Sequence, residues 1–180
     1  MSKLRELTAE VHKNAERQPF VKELVGGISN HRYATYLYNQ MRMYMLLEEL
    51  ADAHDIFDTI PEAKRTLAIH ADFCEMWGNK CKKEPMVYPV VEQYASHLEN
   101  IAYDPAALTA HIYVRHMGDL SGGQMIASRV PGKGLYYQFD CETDDLKDRI
   151  RLLLNDNMAD EAKICFAYAA QLFKEMHVNE

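Results

Sequence analysis

The chain has 180 residues, 48% of them apolar and 26% charged, a length and balance that fit one globular domain over residues 1–180 and exclude wholesale disorder. Twenty basic residues against twenty-seven acidic ones leave a formal charge of −7. That excludes a nucleic-acid binder resting on a Lys/Arg-rich surface and suits solubility or a basic protein partner.

Apolar positions recur at helical spacing almost throughout, while alternating β-branched runs bounded by turns are nearly missing, so the expected fold class is all-α. Leu4, Leu7, Val11 and Ala15 form one stripe of a first helix from about Lys3 to Arg17. Pro19 opens a short second helix that Gly26-Gly27 stops. Ser29 caps a long helix reaching about Asp55, whose Tyr, Met and Leu content over Tyr33 to Leu50 marks it as the centre of the core. Thr59 and Pro61 start the next helix, which Gly78 ends.

A polar turn through Lys80 to Pro85 precedes a helix over roughly Pro89 to Tyr103. Asp104-Pro105, a cap followed by a first-turn proline, then opens a helix to Val130. Gly132 to Phe139 is the one stretch open to an extended conformation. Thr143 starts a helix to about Asp156, and a last one runs from about Ala159 to Met176. The cysteines Cys74, Cys81, Cys141 and Cys165 contain no C-x-x-C pair, and no signal peptide precedes the first helix, so a reducing, cytoplasmic location is expected. No run reaches the roughly 18 apolar residues of a membrane span, and the chain stops at Glu180 without an apolar tail.

Gly118-Asp119-Leu120-Ser121-Gly122-Gly123-Gln124 falls inside the Pro105 to Val130 helix. Each interior glycine costs about 1 kcal/mol relative to alanine, so the missing side chains need a reason. Gly118 and Gly122 share a helix face and Gly123 adjoins them, leaving bare backbone on which a flat ligand or another helix could lie. Asp119, a charge at an otherwise apolar level, favours a ligand site. Leu-Ser-Gly-Gly-Gln also matches the signature of ATP-binding-cassette ATPases, but no Walker A loop or parallel-sheet pattern accompanies it.

His12 lies one turn before Glu16, so the carboxylate can accept one imidazole N–H and leave the other nitrogen for a metal. A helix-surface pair is the plainer alternative. A di-iron bundle lacks support, since no histidine has an acidic residue three positions earlier. A hydrolase lacks the G-x-S-x-G elbow.

Leu7 to Glu16 resembles the proximal helix of the heme oxygenases, and Tyr113 to Gln124 resembles their distal helix. A weaker likeness covers Tyr44 to Glu49, Gly134 to Phe139, Asp160 to Lys163 and Gln171 to Phe173. The resemblance implies a heme-degrading enzyme in which heme, substrate and cofactor at once, is sandwiched between the two helices. It implies His12 as the axial ligand of heme iron, with Glu16 tuning its second nitrogen, and a glycine face at Gly118, Gly122 and Gly123 that lets the distal backbone approach O2. Asp119 would organise a water network that protonates the iron-bound peroxide, with Tyr44 and Arg115 near it. Arg5, Tyr113 and Lys163 would meet the heme propionates.

Ala167 stands where many relatives carry a second basic residue and His116 where an aromatic is common, which bears on the regiochemistry of cleavage. The implied products are biliverdin, expected as the α isomer, carbon monoxide and ferrous iron. Electrons would come from ferredoxin or another external reductase, and a bilin reductase would act downstream. A non-catalytic heme carrier or sensor, and a helical association module, are the competing readings. The remaining histidines, including His97 and His111, are expected at helix surfaces or partly buried.

Overall fold

The computed structural model describes residues 2–78 and 83–178. Cys81 and the start of the turn expected through Lys80 to Pro85 lie outside them. Ten α-helices and four short 3-10 segments make up the described residues, with no strand among them: α1 (Leu4–Leu7), α2 (Ala9–Glu16), α3 (Pro19–Gly26), α4 (Asn30–Asp52), α5 (Thr66–Trp77), α6 (Pro89–Asn100), α7 (Pro105–Ser121), α8 (Gly123–Ala127), α9 (Thr143–Leu152) and α10 (Ala159–Val178).

Helix α4 is the centre of the core, as its composition predicts. Tyr33, Leu37, Met43, Tyr44 and Leu47 on it are all but inaccessible, and burying each such side chain stabilises the fold by roughly 1.5–3 kcal/mol. The Ser29 hydroxyl accepts the Arg32 N–H at 3.3 Å and Asp104 accepts from Ala106 and Ala107 at 3.0 Å, so both expected caps form. Gly27, at φ 113°, ends α3 in a backbone conformation that side chains resist. Helices α5, α6 and α7 pack on α4, and α10 packs on α2, α3, α6 and α7. Leu4, Val114, Ala162 and Cys165 form a second apolar cluster that ties α1, α7 and α10 together.

Several expected boundaries move, each for a local reason. The first helix is broken at Thr8, whose hydroxyl bonds back to the Leu4 carbonyl at 2.8 Å while its backbone leaves helical geometry at φ −107°, ψ 2°. Thr59 and Pro61 do not start α5. They sit in the 3-10 segments Ile56–Thr59 and Pro61–Ala63, and α5 begins at Thr66, where buried Glu48 accepts the N–H groups of Arg65 and Thr66 at 2.6 and 3.2 Å. Gly78 does end α5, at φ 67°.

The helix expected to run to Val130 stops at Ser121 and resumes only as the short α8. The stretch 132–139 turns instead of extending. Gly132 and Gly134 have positive φ, and Leu135–Tyr137 is 3-10. Helix α9 ends at Leu152, before a further 3-10 segment at Asp156–Met158. No helix of the described residues is long and apolar enough to cross a membrane.

Candidate functional site

The distal side is built on α7 and α4. Asp119 is buried near the end of α7, and its Oδ2 accepts the Tyr44 hydroxyl at 2.8 Å. Tyr136 donates to the Tyr44 oxygen at 3.0 Å, extending the chain of hydroxyls to the 3-10 turn. That turn is held in place by Asp72 on α5, which accepts the backbone N–H groups of Leu135 and Tyr136 at 2.9 and 2.8 Å. Burial pushes the Asp119 carboxyl up from its ordinary 3.8 to about 7, against the Tyr44 hydrogen bond and the Arg65 and Arg115 charges that pull it down. A carboxyl with that pKa is poised to take up and release a proton at neutral pH. Burial and the Asp119 charge keep the Tyr44 hydroxyl protonated, well above the usual phenol range.

This poise also affects stability. A carboxyl whose folded-state pKa exceeds its unfolded one favours the fold while protonated, and that advantage is lost as pH rises from about 4 through about 7. Urea titrations of the heme-free protein should show wild type losing roughly 2–4 kcal/mol relative to Asp119→Asn between pH 4 and pH 8. Parallel pH profiles for the two proteins would remove the shifted carboxyl from the account.

Arg115, expected near this network, is buried. Its Nε donates to the Tyr94 hydroxyl at 3.0 Å, one terminal nitrogen to Gln40 Oε1 at 3.2 Å, and the guanidinium lies 5.5 Å from the Tyr44 ring centre. His116, which stands where relatives commonly carry an aromatic, is wholly buried. Its Nε2 bonds Glu48 at 3.0 Å and its ring lies 5.0 Å from that of Tyr44. His111 is buried too. Tyr136, Tyr94, Gln40 and Asp72 escaped the sequence reading, because an isolated tyrosine, glutamine or aspartate at a helical position carries no signal of what it meets 20 to 90 residues away.

The three glycines have two different roles. A Cβ placed on Gly118 meets nothing within 4 Å, and one on Gly122 meets only the Gly118 carbonyl oxygen at 3.8 Å, so this face of the distal helix is open. No helix of the described residues packs there, so close helix packing is not the reason for the two glycines. Gly123 is different and is not part of the open face. A Cβ there would lie 2.7 Å from the Tyr137 ring, so its missing side chain admits Tyr137.

Two substitutions separate these roles. Gly118→Ala should stabilise the heme-free protein by about 0.5–1 kcal/mol, as alanine does in an open helix interior, while weakening heme binding and turnover. Gly123→Ala should destabilise it by about 1–3 kcal/mol through overpacking. Urea denaturation and hemin titration read both effects, and a destabilised Gly118→Ala would contradict the open face.

On the proximal side, the His12 side chain is 52% exposed, its ring centre 5.3 Å from that of Phe166 on α10, with Nε2 3.2 Å from Glu16 Oε1. One imidazole nitrogen thus engages the carboxylate, and Nδ1 makes no hydrogen bond among the described residues. A neutral imidazole with one nitrogen on a carboxylate and the other open has the chemistry of an iron ligand. Arg5 is exposed on α1, and Tyr113 is half-buried against the Leu4 and Val114 cluster. Lys163 pairs with Asp160 on its own helix at 3.0 Å.

The heme oxygenase family model matches residues 1–175. The chain belongs to the heme oxygenase family. Heme oxygenase 1 of Synechocystis sp. PCC 6803 is 29% identical over 99% of this chain and 85% of its own length, and human heme oxygenase 1 is 26% identical over 96% and 70%. The Synechocystis heme oxygenase-1 structure in complex with heme superposes with a TM-score of 0.87 at 27% identity, covering 98% of this chain and 91% of that one. The heme oxygenase of Leptospira interrogans gives 0.84 at 29%, over 96% and 97%. Family and fold agree with the sequence reading: the protein is an all-α enzyme of the heme oxygenase type.

Proposed function

We propose that heme lies between α2 and the open face of α7, and that the pair of sites around His12 and Asp119 opens it to biliverdin, carbon monoxide and ferrous iron. The observation that carries this reading is the joint presence of a bare backbone face at Gly118 and Gly122 and a buried carboxyl on the same helix whose pKa is about 7. A carrier needs the open face but has no use for a proton-handling group beside it.

Heme bound here supplies the iron that activates O2 and the porphyrin edge that is oxidised. His12 would hold the iron through one ring nitrogen while Glu16 fixes the tautomer through the other. Gly118 and Gly122 leave room for O2 against the backbone. Asp119 would hold and pass protons to water in that space, and Tyr44, itself oriented by Tyr136, keeps the carboxylate in a single position. Arg115 is a positioning residue here. It braces the Tyr44 ring and Tyr94 from behind.

Arg5 and the Tyr113 hydroxyl are the groups proposed for the propionates, with Lys163 joining them if it leaves Asp160. This anchoring would set the rotation of heme and favour the α isomer. Exposed Lys3, Arg5, Lys13 and Arg17 flank His12 and would receive an acidic electron donor such as ferredoxin, in a cytoplasmic setting.

Donor choice is tested by supplying hemin-loaded protein with reduced ferredoxin, with a flavoprotein reductase, or with ascorbate, at low and high salt. Ferredoxin should give the fastest bilin formation, and its rate should fall as salt rises. A ferredoxin rate no better than that of ascorbate, or indifferent to salt, would overturn the donor assignment.

A further inference from the structure

Away from the glycine face, three helices bring a second set of metal-ligating groups together. His97 on α6 and His111 on α7 both direct Nε2 at the same oxygen of Glu161 on α10, at 2.5 and 2.8 Å. The three donor atoms lie within 4.8 Å of one another. We propose that His97, His111 and Glu161 form a binding site for one divalent transition-metal ion of the zinc type.

The donor set has the right chemistry. Two imidazoles and a carboxylate suit a borderline ion, for which metal–nitrogen and metal–oxygen distances are about 2.0–2.2 Å. Ligand atoms on such an ion sit about 3.3 Å apart, so the two hydrogen-bond gaps need to widen by less than about 1 Å. Glu161 Oε2 makes no hydrogen bond among the described residues and gives the carboxylate a second donor. Each histidine is also held in orientation: the His97 ring lies 5.5 Å from Tyr168 and 5.6 Å from His111.

The surrounding hydrogen bonds can follow the change. A metal on His111 Nε2 moves the ring proton to Nδ1, which lies 2.8 Å from the Tyr94 hydroxyl. Tyr94 then accepts from His111 as well as from Arg115, and its own proton turns to Cys165 Sγ, 4.0 Å away. In this chain the His111, Arg115 and Tyr94 protons each keep an acceptor, which holds a metal-bound His111 in one orientation. The side chains of His97 and Glu161 are 20% and 19% exposed, whereas His111 is wholly enclosed. Glu161 also lines a surface cleft with Asp104, Asn157 and Asp160, which gives an ion a path to its carboxylate.

The full chain, freed of heme and passed over a chelator, is titrated with Co2+ and then Zn2+. We expect one equivalent of Co2+ to bind with visible d–d bands, and Zn2+ to displace it. His97→Ala and Glu161→Gln should each weaken binding at least about 10-fold with helical circular dichroism unchanged, and His97→Gln, which keeps a hydrogen bond to Glu161, serves if the alanine variant does not fold. His12→Ala and His70→Ala should bind as wild type does. No retained equivalent, unchanged affinity in a folded His97 variant, or loss of binding in His12→Ala or His70→Ala would each reduce the cluster to a hydrogen-bonded contact and overturn the proposal.

Discussion

His12→Ala should leave the fold intact and remove heme turnover. The imidazole is exposed, and its partners among the described residues are Glu16 and the Phe166 ring, so its loss should change unfolding free energy by no more than about 0.5 kcal/mol. Bilin formation should fall at least on the order of 100-fold, because the variant keeps the open face at Gly118 and Gly122 but has no imidazole at position 12 to hold the iron. Added imidazole should restore the absorption spectrum of a nitrogen-ligated heme. Turnover within a few-fold of wild type in a folded His12→Ala would move the ligand elsewhere.

The second large effect is expected on the opposite face. Asp119→Ala removes the acceptor of the Tyr44 hydroxyl and a buried carboxyl on the helix of Gly118. Hemin should still bind through His12, while bilin yield per heme consumed drops by about 10²–10⁴-fold, the range for a lost general acid or base. Asp119→Asn separates position from proton transfer, since the amide oxygen still accepts from Tyr44 but the side chain has no carboxyl proton to exchange. It should lose ring opening to the same order. Full bilin yield from Asp119→Asn would make Asp119 an anchor for Tyr44 and nothing more.

The parts of this site that follow local rules were legible in the sequence. Ser29, Asp104, Gly27 and Gly78 sit where caps and stops belong, and the glycines of α7 announced a face without side chains. Local rules could not separate Gly118 and Gly122, which open onto space, from Gly123, whose neighbour is the Tyr137 ring. That distinction depends on a turn 14 residues further on in the sequence, between Gly123 and Tyr137. The break at Thr8 was hidden because a threonine bonding back to its own helix leaves the apolar stripe undisturbed.

What receives Arg115 was not legible, although guanidinium groups seldom go inside unless something does. Its acceptors, Tyr94 and Gln40, lie on two other helices. His97 and His111 were passed over for the same reason: no spacing within one helix links them to Glu161, and only the crossing of α6, α7 and α10 does.

The central claim is that heme is opened at the site between His12 and Asp119. The most direct test is to load the full chain with one equivalent of hemin, supply O2 and reduced ferredoxin, and quantify bilin by chromatography together with carbon monoxide in the headspace. One biliverdin, as the α isomer, and one carbon monoxide per heme are predicted. A ferrous heme complex that persists with neither product would contradict the account.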